Sequence, residues 1–72
     1  MKIDFRFTDD GASAGLPFLS EEFSVTIENG RLWPRETVEA FVSLTAGAIK
    51  HSFGNNAPRV FARIDGRPWV RQ

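Results

Sequence analysis

Hydrophobic and polar positions alternate most regularly at the start of the chain. Across residues 2–8 every odd-numbered position is apolar, and every even-numbered position is polar or charged. A period of two is typical of a β-strand with one buried face. We therefore predict a strand over 2–8 that turns three side chains to the core: Ile3, Phe5 and Phe7.

A second alternating segment predicts another strand over 22–28, with Phe23, Val25 and Ile27 on its apolar face. Small, polar and glycine residues fill the first part of the intervening segment, so we predict a loop over 9–20. The dipeptide Asn29-Gly30 indicates a turn after the second strand.

Apolar spacing changes to three, four and seven residues in the middle of the chain, which predicts an amphipathic helix over 34–53. Pro34 suits the first helical position, and Gly54 is a typical stop signal. Gly47 lies inside this helix and is expected to allow a strand or a second helix to approach closely. The predicted apolar stripe is Val38, Phe41, Val42, Thr45, Ile49 and Phe53.

The C-terminal segment 59–71 has Asp65-Gly66 between two β-prone runs, a strong signal for a hairpin with a two-residue turn. Such a turn would pair Ala62 with Trp69 and turn Val70 away from the core. Pro68 lacks a backbone donor and favours an edge position for the last strand. The predicted core face of the hairpin is Val60, Ala62, Ile64 and Trp69.

The element order is therefore ββαββ in a single domain over 1–72. We predict a small α+β fold, in which one long helix packs on one face of a mostly antiparallel four-stranded sheet. The strand order 2-1-3-4 follows from the strand directions. The sheet face opposite the helix is then expected to carry Lys2, Asp4, Arg6, Ser24, Thr26, Phe61 and Arg63.

Composition limits the chemistry of this domain. The 72 residues include nine Lys or Arg, nine Asp or Glu, one His and no Cys. Disulfides are excluded, and a structural zinc site would need about four Cys or His ligands, so we expect no metal and no cofactor. No apolar run approaches the about 18 residues of a membrane span. Since the N-terminus also lacks a signal-peptide pattern, we expect a cytoplasmic protein without membrane contact.

Candidate catalytic residues are sparse. Residues 11–15 match the G-x-S-x-G string that would make Ser13 an acyl-transfer nucleophile, but that motif requires a helix directly after the serine and an acid and a histidine later. Pro17 follows instead, and no Asp lies between Ser13 and His51. His51 is interpreted as a solvated histidine near the end of the helix, and the pair Asp9-Asp10 as solubilising charge rather than a cation site. We therefore predict that the protein is not an enzyme.

The arginines of the hairpin recur every four residues. In the predicted pairing, Arg59 and Arg63 share one face, and Arg67 and Arg71 share the other. This basic hairpin could contact an acidic protein surface or nucleic-acid phosphates, with an aromatic ring stacking on bases; its arginines could also simply protect a sheet edge from aggregation. The candidate partner- or nucleic-acid-binding residues are Arg59, Phe61, Arg63, Arg67, Trp69 and Arg71.

The zero net charge conceals two opposed halves. Residues 1–30 contain two basic and six acidic residues, whereas residues 31–72 contain seven basic and three acidic ones. Two copies could therefore dock with the acidic half of one against the basic half of the other, so homo-oligomerisation is a hypothesis. Either half could equally bind a partner of opposite charge.

Our leading hypothesis is a small non-enzymatic protein–protein interaction module with an unidentified protein partner. An inhibitor or accessory factor carried by a phage or mobile element would fit this description. The alternative is a nucleic-acid-binding protein that uses the arginine-rich hairpin. The overall charge balance disfavours the alternative, because nucleic-acid binders commonly have a basic pI, and the pI of this chain is about 6.6.

Overall fold

The computed structural model of the protein describes residues 1–9, 19–53 and 58–72. Four strands form one antiparallel sheet of order β2-β1-β3-β4, and one helix packs on a single face of that sheet. The predicted α+β class and the strand order are thereby confirmed. The elements are β1 (Lys2–Asp9), β2 (Leu19–Thr26), a 3-10 turn (Gly30–Leu32), α1 (Arg35–Ser52), β3 (Arg59–Ile64) and β4 (Val70–Arg71).

The first strand lies inside the sheet and carries the two largest fully buried side chains. β1 pairs with β2 along its whole length, from Lys2 opposite Thr26 to Asp9 opposite Leu19, and with β3 on its other side. Ile3 and Phe5 are fully buried between the sheet and α1. The central position of β1 explains why its alternation is the cleanest in the sequence, since both of its edges and one of its faces are covered.

The helix contributes a narrow apolar stripe to this core. Val38, Val42 and Ala46 are buried and recur every four residues, while Phe41 and Ile49 are partly buried beside them. Ala46 was missing from the predicted stripe because a small residue gives a weak hydrophobic signal. Its size suits the position, since a helix can lie close to a sheet where a small side chain faces it.

Several predicted boundaries were wrong. β2 spans Leu19–Thr26 rather than 22–28, because every residue of the eight-residue β1 takes a partner in β2. The predicted loop 9–20 is correspondingly shorter, and its centre, 10–18, lies outside the described residues. The helix begins one residue later than predicted, since Pro34 has the extended backbone of a capping residue, and it ends one residue earlier. The predicted stop signal at Gly54 also lies outside the described residues.

The close approach that the sequence suggests at Gly47 is found at Gly30 instead. Gly47 was expected to permit a close approach, but apart from its chain neighbours and the nearby helix backbone, no described atom lies within 4 Å of the place where a Cβ would stand. Its cost to the helix, about 1 kcal/mol relative to alanine, is therefore not offset by packing. Gly30 is buried in the turn after β2, and a Cβ there would collide with the side chain of Met1. Gly30 is thus the glycine that a close approach requires.

The C-terminal hairpin forms its turn as predicted and then changes register. Asp65 and Gly66 have φ values of 48° and 75°. The N–H of Arg67 donates to the carbonyl of Ile64 at 3.1 Å, which closes a two-residue turn. Further along, however, the ladder joins Ala62 to Val70. The returning strand therefore contains one more residue than the predicted pairing allows.

This extra residue exchanges the two faces of the last strand. Trp69, predicted on the core side, lies on the opposite side of the sheet, and Val70 takes the side that faces the helix. A one-residue slip moves every side chain of a strand to the other face. Pro68 interrupts the ladder at this point because it has no N–H to donate, and sheet edges are where such bulges are common.

Candidate binding surface

The face of the sheet opposite α1 is called the outer face here, and no described element covers it. The strand registers place on it five basic and two acidic side chains. The acidic ones are Asp4 and Glu22, and each forms an ion pair with an arginine. The basic ones are Lys2, Arg6, Arg59, Arg63 and Arg71.

Asp4 is the buried anchor of the outer face. It lies in the central strand, directly opposite Ser24 on one side and Arg63 on the other, and it is only 6% exposed. Its carboxylate accepts hydrogen bonds from Ser24 Oγ at 2.5 Å and from Arg63 Nε at 2.7 Å, and Lys2 Nζ is 3.8 Å away. Although desolvation acts in the opposite sense, the hydrogen bonds from Ser24 and then Arg63 hold the pKa of Asp4 below its ordinary value of 3.8.

Trp69 lies against two arginines of the same face. The guanidinium carbon of Arg63 is 4.4 Å from the centroid of the indole ring, and that of Arg6 is 4.5 Å from it. Contacts of this kind contribute about 0.5–1 kcal/mol each at exposed sites. Since Arg63 also binds Asp4, and Arg6 lies 3.4 Å from Glu22, the four charged groups and the indole form one connected cluster.

An open cleft of about 280 Å³ lies beside this cluster. Its rim carries the exposed Arg59, which is directly opposite Thr8 in the sheet. Two guanidinium groups and a hydroxyl therefore stand around two aromatic side chains. Arginines bind carboxylates and phosphates through charge-assisted hydrogen bonds, so the cleft can accept an anionic group. The lining residues are Arg6, Thr8, Arg59, Phe61 and Trp69.

Five of the six candidate residues from the sequence lie on the outer face. Arg71 stands opposite Phe61, so it joins Arg59 and Arg63 rather than Arg67. The prediction that Arg67 and Arg71 share a face was wrong, because the extra residue in the returning strand separates them. Arg67 is exposed at the turn and lines a different groove, beside the helix.

Sequence reasoning missed the role of β1 at this surface. Arg6 and Asp4 were assigned to the outer face but not connected to the arginines of the hairpin. The signal was present in the predicted strand order, which places β1 next to β3. In the structure Arg6 lies opposite Phe61. What could not be seen was Trp69, because its position depends on the displaced register.

A groove of about 360 Å³, larger than the cleft on the outer face, lies between the helix and the hairpin. Val42, Ala62 and Val70 form an apolar part of its lining. The charged side chains of α1 at this groove, Arg35 and Glu39, are joined by an ion pair of 2.9 Å. Of the other charged residues that line it, Arg63 is paired with Asp4 and Arg67 is exposed, so this groove carries less unbalanced charge than the outer face does.

Other candidate chemistry finds no support in the described parts of the chain. No group of three or more His, Asp or Glu residues in them is arranged to hold a metal ion. His51 is exposed near the end of α1, while Ser13 and Asp10 lie outside the described residues. The one helix described is not apolar enough over its length to cross a membrane.

Comparisons with protein-family models, with curated proteins and with solved structures found no match for this chain.

Proposed function

We propose that the protein is a small non-enzymatic binding module that docks an acidic surface of a partner protein on its outer face. The observation that carries this proposal is the charge of that face, five basic side chains against two acidic ones that are each paired with an arginine. Complementary charge of this kind steers association and selects partners. Arg59 and Arg71 are exposed and project from the hairpin, so they are the first residues that a partner would meet.

The buried part of the cluster supports binding by holding the surface in one shape. Asp4 fixes the guanidinium of Arg63, and that guanidinium lies over Trp69. A surface that is ordered before association loses less conformational entropy when the complex forms. Arginine and tryptophan are also the residue types enriched among those that dominate binding energy in protein interfaces.

A nucleic acid is the second candidate, and the cleft beside Trp69 is the observation that favours it. Two arginines and a threonine there could hold a phosphate next to an aromatic wall. Two features make this candidate weaker. The indole already contacts two guanidinium groups of its own chain, and Arg6 and Arg63 each interact with a carboxylate.

We expect reversal of the two exposed hairpin arginines to weaken partner binding strongly. Arg59→Glu and Arg71→Glu together should weaken the complex by at least about tenfold, since loss of two favourable ion pairs and introduction of like-charge repulsion add up. The matched control is Arg31→Glu with Arg67→Glu, which changes net charge equally at exposed positions off the outer face. Affinity purification with quantitative mass spectrometry would identify partners, and titration calorimetry with the purified partner would give the affinities.

The proposal requires a partner protein that the wild type and the control bind with similar affinity. The hairpin variant must bind that partner much more weakly. Equal retention by both variants would contradict it, as would equal loss. The nucleic-acid candidate is tested with a fluorescent single strand and a duplex at about 50 mM and about 200 mM salt, where a phosphate binder loses affinity steeply. Tight, salt-dependent binding that the hairpin variant lacks would replace the proposed protein partner with a nucleic acid.

A further inference from the structure

The two edges of the sheet differ in how well they are protected. β4 contains two residues and follows a proline and an extra residue that disrupt its pairing. β2 contains eight residues in unbroken register with β1 and contains no proline. Unpaired strand edges of this length are templates for another strand, and natural proteins normally block them. In the described part of the chain nothing pairs with the outward edge of β2.

The hydrogen-bonding pattern identifies the groups that this edge presents. Met1 and Ile27 exchange two backbone hydrogen bonds, of 3.0 and 2.8 Å. Because such pairs alternate along an antiparallel ladder, the odd-numbered residues of β2 bond to β1. The N–H and C=O groups of the even-numbered residues therefore point outward. These residues are Ser20, Glu22, Ser24 and Thr26.

An apolar side chain stands beside the same edge, on the helix side of the sheet. The ring of Phe23 stacks on Phe5 with centroids 5.1 Å apart, yet Phe23 is 39% exposed. The helix packs over β3 and the buried residues of β1. Phe23, on β2, lies at the edge of the area that the helix covers. A small domain buries a limited fraction of its surface, so an additional strand at this margin would extend the core.

We propose that β2 pairs with β2 of a second copy of this chain, antiparallel and around a two-fold axis at Phe23. Backbone pairing requires outward-facing residues opposite one another, which an axis at any residue of β2 provides. Only an axis near the middle of the strand, at Glu22, Phe23 or Ser24, keeps most of these residues paired. An axis at Glu22 would place two like charges directly opposite, which destabilises a sheet. An axis at Ser24 would leave Ser20 without a partner inside the strand.

An axis at Phe23 avoids opposed like charges and leaves no outward-facing residue unpaired. Glu22 of each copy then lies opposite Ser24 of the other, and Ser20 lies opposite Thr26, so every outward-facing residue is paired. The two Phe23 side chains meet in a non-hydrogen-bonded pair, the type in which side chains approach most closely. The result is a continuous eight-stranded sheet with both outer faces on the same side, which goes beyond the binding function proposed above.

The register is tested by single cysteines, which is direct because the chain contains none of its own. Across the proposed axis the two Cα atoms at position 23 are about 4.5 Å apart, within the range of a disulfide. Positions 22 and 24 face their own counterparts only diagonally, at about 7–8 Å. Under mild oxidation Phe23→Cys should therefore form a covalent dimer at least about tenfold faster than Glu22→Cys or Ser24→Cys.

The wild-type protein provides a test that needs no substitution. Sedimentation velocity should show a reversible monomer–dimer equilibrium that shifts with concentration. Glu22→Pro removes an outward N–H without touching the β1 ladder, and should weaken the dimer by at least about tenfold. Glu22→Gln keeps that donor and is the matched control. A wild type that stays monomeric up to millimolar concentration would overturn the proposal, and so would preferential crosslinking at 22 or 24.

Discussion

We expect Phe5→Ala to destabilise the protein severely. Phe5 is fully buried at the centre of the sheet, between Phe23 and Ala62 on the neighbouring strands. Removal of a buried phenylalanine ring costs about 3–5 kcal/mol. At about 0.05–0.15 kcal/mol per residue, a chain of this length has a total stability of about 4–11 kcal/mol. The substitution therefore removes a large share of the free energy of unfolding.

Urea unfolding followed by circular dichroism measures this loss. Phe61→Ala is the matched control, since it removes the same ring from a half-buried position on the outer face. The control should lose less than about half as much stability, because less apolar surface is exposed by its removal. Equal losses in the two variants would mean that the core does not lie on the helix side of β1.

We expect Asp4→Asn to destabilise the protein at neutral pH and to have little effect in strong acid. The variant removes the negative charge that Arg63 and Lys2 face, although the site remains buried. Loss of one partner of a poorly solvated ion pair is unfavourable because the remaining charge keeps its desolvation cost. Thermal unfolding midpoints of wild type and variant, measured between about pH 7 and about pH 2, would show the difference.

The direction of the pH dependence follows from the pKa of Asp4. That pKa is lower in the folded protein than its ordinary value of 3.8, so the carboxylate stabilises the fold fully above about pH 4. This contribution is lost as the pH falls through the folded-state pKa. The difference between wild type and Asp4→Asn should therefore be largest near neutrality and should close below that value.

Glu22→Gln separates this effect from a general loss of negative charge. Glu22 pairs with Arg6 at 3.4 Å, but half of its side chain is exposed. Ion pairs at such positions contribute about 0–1 kcal/mol, so this variant should unfold close to the wild type across the whole range. If the thermal unfolding midpoints of the two variants shift equally, the stabilising effect of the Asp4 charge does not depend on the burial of Asp4.

The sequence predicted the parts of the fold in which burial follows a simple period. The alternation of β1 located Ile3 and Phe5 in the core, and the four-residue spacing of Val38 and Val42 located the buried face of α1. The strand order could also be predicted. The helix after β2 returns the chain to the sheet, and few positions there allow β3 to pair with another strand. The early start of β2 could not be predicted, since Ser20 and Glu21 give no apolar signal.

The outer face could be predicted only in part, because its composition depends on register. Asp65-Gly66 correctly indicated the turn, but nothing in the local sequence showed where the ladder would resume after Pro68. The shift places Trp69 over Arg6 and Arg63, which are 63 and 6 residues away along the chain. The burial of Asp4 is similar, since Ser24 and Arg63 reach it from two different strands.

Locating Trp69 in solution tests the outer face most directly. The displaced register of the last strand is what brings Trp69 and Arg71 beside Arg59 and Arg63. Nuclear Overhauser spectra of the labelled protein report which side chains surround the indole. We predict contacts from the Trp69 ring protons to the methylene groups of Arg6 and Arg63. Contacts from that ring to Val42 or Val60 would contradict the account, since they would place Trp69 in the core.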